Sequence, residues 1–564
     1  MHVIPCFRRS STWILVVLFV VLCSACATIT AAQESDAAES ERPVAAVEIA
    51  TQPLTASAAC QNRFIAHDLP HAARAPGDVT RLFDSNGSGL AIGDLDGDGY
   101  EEIVLADLSG PAIILWNEGN LVFSRTTLPQ VRRARAVAIV DVEGDGLPDI
   151  TFSTGSGVVR LANQGGRDFQ FAPLSGLTHA AYALYWADWD GDGDLDLVTG
   201  SYDAERMLTE SNQFLTDARS GVVYYQQEDG RFTGRVLADE AQALAITAMD
   251  INRDGRLDIL VGNDFDLPDY AFVQQAGGAW QAQEPFPVTT HSTMGFDPVD
   301  SDNDGDWELF ATDMKPYQRA PKVLAAWAPL MQDGYETRRS DDAQKSENVL
   351  LKPGGNGAFR NRAYAEGIDA TGWSWSGKFG DLDNDGRLDL YVVNGMIAED
   401  LLDYLPGGEL IEENQALRQT ADGDFISAPE WRLNSLRSGR GMSMADLDRD
   451  GDLDIVVNNL NTAAQLFENR LCISGRALLI DLQWPKVDNR VGIGAEVTLY
   501  TTAGAQKRMV RTAGGYLSGD PSRIHFGLVD GAEVIGLSVR WPDGAVSEIP
   551  PIEPGARLIV TRLN

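Results

Sequence analysis

Along most of the chain, short apolar stretches alternate with polar, glycine-containing turns. "RAVAIV" (135–140) and "ALAITAM" (243–249) each precede an acidic loop, while "DLVTGSY" (196–202), "DILVGND" (258–264), "DLYVVNG" (389–395) and "DIVVNNL" (454–460) follow one. Their length and β-branched content predict strands. A polar hairpin then leads to an aromatic, as in "LWNEGNLVF" (115–123), "YYQQEDGRF" (224–232) and "LLKPGGNGAF" (350–359). Helical patterning is confined to two insertions. Residues 313–349 are partly helical and predict a segment overhanging a face, and 396–436 predict short amphipathic helices over a rim. The pattern is otherwise all-β.

The loops between the strands repeat. Nine-residue segments start at 94, 141, 188, 250, 300, 381 and 446, at spacings of 47, 47, 62, 50, 81 and 65, each with oxygen side chains at positions 1, 3, 5 and 9 and glycine at 6. Four strands per unit with a period near 50 residues predict a β-propeller. Alternating acids on a tight turn point successive carboxylates into one hollow, the donor set that a hard cation such as Ca²⁺ requires. Position 7 varies freely, as expected if only its carbonyl coordinates. The ligand sets are Asp94, Asp96, Asp98, Tyr100 and Glu102; Asp141, Glu143, Asp145, Leu147 and Asp149; and Asp188, Asp190, Asp192, Asp194 and Asp196. They continue with Asp250, Asn252, Asp254, Arg256 and Asp258; Asp300, Asp302, Asp304, Asp306 and Glu308; Asp381, Asp383, Asp385, Arg387 and Asp389; and Asp446, Asp448, Asp450, Asp452 and Asp454. An EF-hand closes with an acid at position 12, but these loops carry Leu105, Phe152, Thr199, Val261, Ala311, Val392 and Val457 there. An Asp-Gly pair alone also makes a hairpin turn. Seven copies in register point instead to as many as seven structural Ca²⁺ ions.

Composition adds compartment and partner class. The 564 residues carry a net charge of −37, which disfavours nucleic acid and anionic membrane as partners. Arg8 and Arg9 precede an apolar run from Trp13 to Leu22, so 1–32 predicts a secretory leader. Lipidation at Cys26, within "LCSAC", and ordinary cleavage both stay open. The expected location is periplasmic, outer-membrane or extracellular, with membrane contact only through a lipid at Cys26. Residues 33–59 read as a disordered tether.

The motif and its flanking strands resemble FG-GAP or VCBS-type repeats. "GWSWSGKFGDLDNDGRLDLYVVNGM" and "GRGMSMADLDRDGDLDIVVNNLN" resemble the cartilage-acidic-protein-like (CRTAC) family, and "VGIGAEVTLY", "GGYLSGDPSRIHFGL" and "VRWPDGAVSEI" are similar to its ASPIC/UnbV domain. The resemblance covers about 61–564. It implies a seven-bladed propeller over 60–471 and a smaller β-domain over 472–564. Within that frame "NRFIAHDLP" completes the last blade, and Cys60 and Cys472 flank the missing hairpin, which predicts a disulfide between them.

Catalytic signatures are scarce. The chain has no H-E-x-x-H, P-loop or G-x-S-x-G motif, and its histidines are His2, His67, His71, His179, His291 and His525. At the start of the innermost strands, Arg132, His179, His291 and Arg437 are expected around one mouth of the channel, with Arg135 and Arg440 near. The expected function is a non-catalytic adhesion or interaction scaffold that binds a protein or an extracellular glycan. The alternative is a polysaccharide-binding or lyase-type protein whose mouth holds a uronate. A subunit role in a larger secreted complex is a third reading.

Overall fold

A computed structural model of the protein describes residues 43–205, 220–335, 342–355, 357–473 and 475–564. The leader with Cys26, and residues 33–42, lie outside them. The architecture is all-β and propeller-like. Among the described residues, seven antiparallel sheets of four strands follow the repeats, the sixth joined at its inner edge by Met314–Lys315. The first runs Leu90–Gly93, Glu102–Leu105, Pro111–Asn117, Phe123–Arg132. Inner strands Leu90–Gly93, Ala134–Val140, Ala183–Ala187, Ala243–Met249, Gly295–Val299, Gly372–Gly380 and Gly439–Ala445 each neighbour the next, and the last neighbours the first. Inner and second strands are nearly all buried, being covered on both faces by adjacent sheets. That explains their continuous apolar runs. Outer strands such as Arg231–Ala238 are largely exposed.

The ring closes with the N-terminal strand Ile65–Asp68, which pairs antiparallel with Gln465–Glu468 as the outer strand of the seventh sheet. Beyond the pairing, Cys60 and Cys472 are disulfide-bonded, Cα to Cα 5.0 Å. The bond spans 412 residues. Replacing both cysteines by serine is expected to lower unfolding free energy by up to about 5 kcal/mol, read as a shift in the guanidinium midpoint. An unshifted midpoint would show that strand pairing alone closes the ring.

The C-terminal unit contains two further four-stranded sheets, one ordered Val47–Pro53, Ala556–Arg562, Arg476–Gln483, Ile524–Leu528. The tether expected over 33–59 is therefore corrected: Val47–Pro53 is a strand paired in register with Arg562 to Ala556. Alternating Val47 and Ile49 supply its inward face. The first insertion forms the helix Pro321–Tyr335. Helices expected over 396–436 are not observed. That segment forms the paired strands Met396–Ile397 and Glu409–Leu410, two 3₁₀ turns and the outer strands Gln415–Gln419 and Phe425–Ser427. Pro406, Gly407, Gly408 and Pro429 interrupt any longer helix.

Candidate metal centre and its cap

Each acidic loop joins an inner strand to the second strand of its sheet. The position-1 carboxylate accepts backbone N–H groups from inside its own loop: Asp141 accepts from Asp145 at 3.1 Å and Gly146 at 2.7 Å, and Asp381 from Asp385 at 3.0 Å and Gly386 at 2.8 Å. The position-6 glycines that permit this adopt positive φ, 90° at Gly146 and 84° at Gly386. Carboxylate oxygens gather within 4.8 Å of one another at Asp94, Asp96 and Glu102; Asp188, Asp190 and Asp192; Asp300, Asp302 and Asp304; Asp381, Asp383 and Asp385; and Asp446, Asp448 and Asp450. These five clusters could hold a metal ion, and their all-oxygen donor set suits a hard divalent cation.

Two loops are looser. Glu143 is drawn to Arg160, and Asp254 is paired with Arg256. In the fourth and sixth loops the position-7 side chain thus does more than fill space, since Arg256 and Arg387 both fold back on the position-5 acid.

The position-9 acid has a role that spacing did not reveal. It accepts one N–H from position 2 of its own loop and one from the third strand of its sheet, as Glu102 does from Leu95 at 2.7 Å and Asn117 at 3.4 Å. Asp454 does the same with Leu447 at 3.2 Å and Asn469 at 2.8 Å. Burial pushes these carboxyls up, Glu102 and Asp196 to about 8 and Asp149 and Asp258 to about 7. At position 1, burial raises Asp141 to about 6 and Asp188 to about 7, with neighbouring aspartates adding to it. Burial thus raises the cost of the charged carboxylates, which a cation held among them would offset.

The third-strand amide also reaches the neighbouring sheet. Asn117 Nδ2 donates to Leu447 O at 2.8 Å, Asn163 to Leu95 O at 2.8 Å, Gln419 to Ser301 O at 2.9 Å and Asn469 to Leu382 O at 2.8 Å. Every acceptor is the position-2 carbonyl of an adjacent loop, so loop geometry is tied from sheet to sheet. Asn469→Ala is expected to cost about 1–3 kcal/mol in urea unfolding, because Leu382 O loses this donor while buried. A change below about 0.5 kcal/mol would mean that the clamp is dispensable.

The C-terminal unit sits on this same face. Its side chains and backbone donate to the position-6 carbonyls: Arg523 to Gly99 at 3.3 Å, Asn489 N to Gly193 at 2.8 Å, Arg540 to Gly255 at 2.7 Å and Lys507 to Gly305 at 3.3 Å. His525 Nε2 lies 3.2 Å from Gly451 O. Arg490, Arg508, Arg523 and Arg540 hold down the charged-form cost of nearby position-1 aspartates.

From the same unit, residues 512–520 enter the central channel. Gly515 N donates to Phe296 O at 2.7 Å, Gly519 N to Leu90 O at 2.8 Å and Tyr516 N to Ser376 Oγ at 3.2 Å, while Leu517 O accepts from Val137 N at 3.3 Å. The approach requires bare backbone: a Cβ on Gly89 would lie 1.7 Å from Leu517 O. Tyr516 is wholly buried, its hydroxyl donating to Asn86 O at 2.8 Å and its ring edge-on to Trp375 at 5.0 Å. At the base, Asp520 is paired with buried Lys378 and with Arg511.

The four mouth residues do not line one shared cavity. Arg132 lines one cavity and His291 another, and His179 and Arg437 line neither. His179 Nδ1 meets Tyr225 Oη at 2.8 Å, His291 Nε2 meets Asp266 at 3.3 Å, and Arg437 turns outward to Asp68 at 2.7 Å. Arg135 and Arg440, expected near the mouth, are both buried. Arg135 is paired with Glu205, while Arg440 donates to Ser85 O at 2.5 Å and lies 4.2 Å from the Trp375 ring centre. Burial lowers Arg440 to about 9.

Comparison with known proteins agrees with the repeat pattern. The FG-GAP-like repeat family matches residues 94–152, 141–199, 250–311 and 402–457, and the ASPIC and UnbV family matches 486–564. Cartilage acidic protein 1 of Mus musculus is 24% identical over 527 residues, covering 82% of this chain and 72% of that protein. The Xenopus tropicalis protein of that name is 25% identical over 519 residues, with the same shares. Among solved structures, an Agrocybe aegerita lectin recognising non-reducing terminal N-acetylglucosamine has a TM-score of 0.37 at 14% identity, covering 68% of this chain and 97% of its own. A Bacillus licheniformis rhamnogalacturonan lyase also scores 0.37, at 12% identity over 72% and 76% of the two chains. At such scores neither likeness bears on function. No helix among the described residues is long and apolar enough to cross a membrane.

Proposed function

Starting from an FG-GAP-repeat chain of the cartilage-acidic-protein-like kind with a C-terminal ASPIC/UnbV domain, we propose an exported, calcium-stabilised propeller that binds a partner without catalysing a reaction. One observation carries this reading: the acidic loops lie between the sheets and a C-terminal unit bonded to their carbonyls. A cation held there by positions 1, 3 and 5, or by Asp94, Asp96 and Glu102 in the first loop, neutralises buried carboxylates and fixes the docking surface. It is placed to support structure rather than to meet a substrate.

The opposite end of the ring is the face left for a protein or extracellular glycan. Export rests on the charged and apolar pattern of residues 1–32. The test is incubation with uronate-containing polysaccharides alongside partner capture in calcium and in chelator. Calcium-dependent capture with no ultraviolet-absorbing unsaturated product is expected. Turnover to such products would sink the non-catalytic reading in favour of a lyase.

A further inference from the structure

A cavity of about 990 Å³ opens on the end of the ring away from the acidic loops, under the helix Pro321–Tyr335. Its size matches that of small-molecule pockets in general. Trp327, Trp373, Phe265, Met294, Met314 and Met396 are among its walls. Trp327 and Trp373 are buried, with ring centres 6.0 Å apart. Flat aromatic and polarizable thioether surfaces together favour an apolar ring system.

Several polar groups of this wall are already engaged. Tyr202 Oη donates to Asp264 at 2.6 Å, Trp327 Nε1 to Glu412 at 3.2 Å, and Lys315 to Glu347 at 2.7 Å and to Asp369. His291 faces Asp266. Two donors stand apart: Trp373 Nε1 and Asn86 Nδ2 are buried, line the cavity and have no partner among the described residues, Trp373 being the one on the aromatic wall. A buried N–H left this way calls for an acceptor.

We infer that this cavity binds an apolar, ring-bearing small molecule whose acceptor oxygen meets Trp373 Nε1. The site draws on none of the acidic loops and stands apart from the calcium reading. The test uses the full exported chain with calcium and the neutral naphthyl ketone prodan, followed by its fluorescence. Saturable binding of one equivalent with a blue-shifted emission is expected. Leu324→Trp places bulk at a rim position that is 40% exposed, so the fold tolerates it, and should weaken binding by about tenfold or more. Trp373→Phe keeps the ring and removes the donor, with a loss of about fivefold. Melting curves matching the parent's certify both variants. Non-saturable binding, equal binding by Leu324→Trp, or displacement of prodan by neutral oligosaccharides overturns the assignment. Equal binding by Trp373→Phe overturns the acceptor contact.

Discussion

Chelating calcium from the loaded chain is expected to lower the melting temperature of the exported chain by several degrees. A site of extracellular affinity, about 10⁻⁴ to 10⁻³ M, contributes about 1 kcal/mol at millimolar calcium, and five or more sites sum to several. Removing the ions leaves Asp381, Asp446 and Asp454 buried among like charges, each pushed well up by burial first and by its neighbours next. The loss should spread beyond the loops, because Asn117, Asn163, Gln419 and Asn469 tie each loop to the next sheet. Differential scanning calorimetry with and without chelator reads it. Superimposable transitions would mean that the loops hold their shape by hydrogen bonds alone.

Tyr516→Ala should destabilise the protein by about 3–5 kcal/mol, the cost of emptying a wholly buried aromatic site. The ring fills the channel between Trp375 and Tyr182, and its hydroxyl serves Asn86 O. Tyr516→Phe keeps the packing and should cost only about 1 kcal/mol. Chemical denaturation separates the two. Limited proteolysis should also cut the alanine variant faster near 512–520, as the cap loosens from the ring. An alanine variant as stable as the parent would show that the channel is not held by this segment.

How much of this was legible in the sequence follows from how local each feature is. The acidic loops could be read because a hard cation fixes residue type at every second position within nine residues. Ring closure was readable from one unpaired strand and two cysteines at its ends. The channel segment carries no such mark. "GGYLSGDPSR" needs a hole lined by Leu90, Val137, Phe296 and Ser376, and nothing near residue 516 announces one. Val47–Pro53 was read as tether because its surroundings are polar and rich in alanine. Its strand exists only through pairing with Ala556–Arg562. Position along a strand placed His179, His291 and Arg437 at one end of the ring but could not tell the neighbours each meets, Tyr225, Asp266 and Asp68.

The most direct test of the account is a metal count by elemental mass spectrometry on the exported chain after equilibrium dialysis against about 10 mM calcium, with the calcium of the dialysate subtracted. Between five and seven calcium ions per chain are expected, five from the tightly gathered clusters and two more from the loops at 141–149 and 250–258. A count near zero would contradict it, leaving the seven loops as turns and the docking of the C-terminal unit independent of any cation.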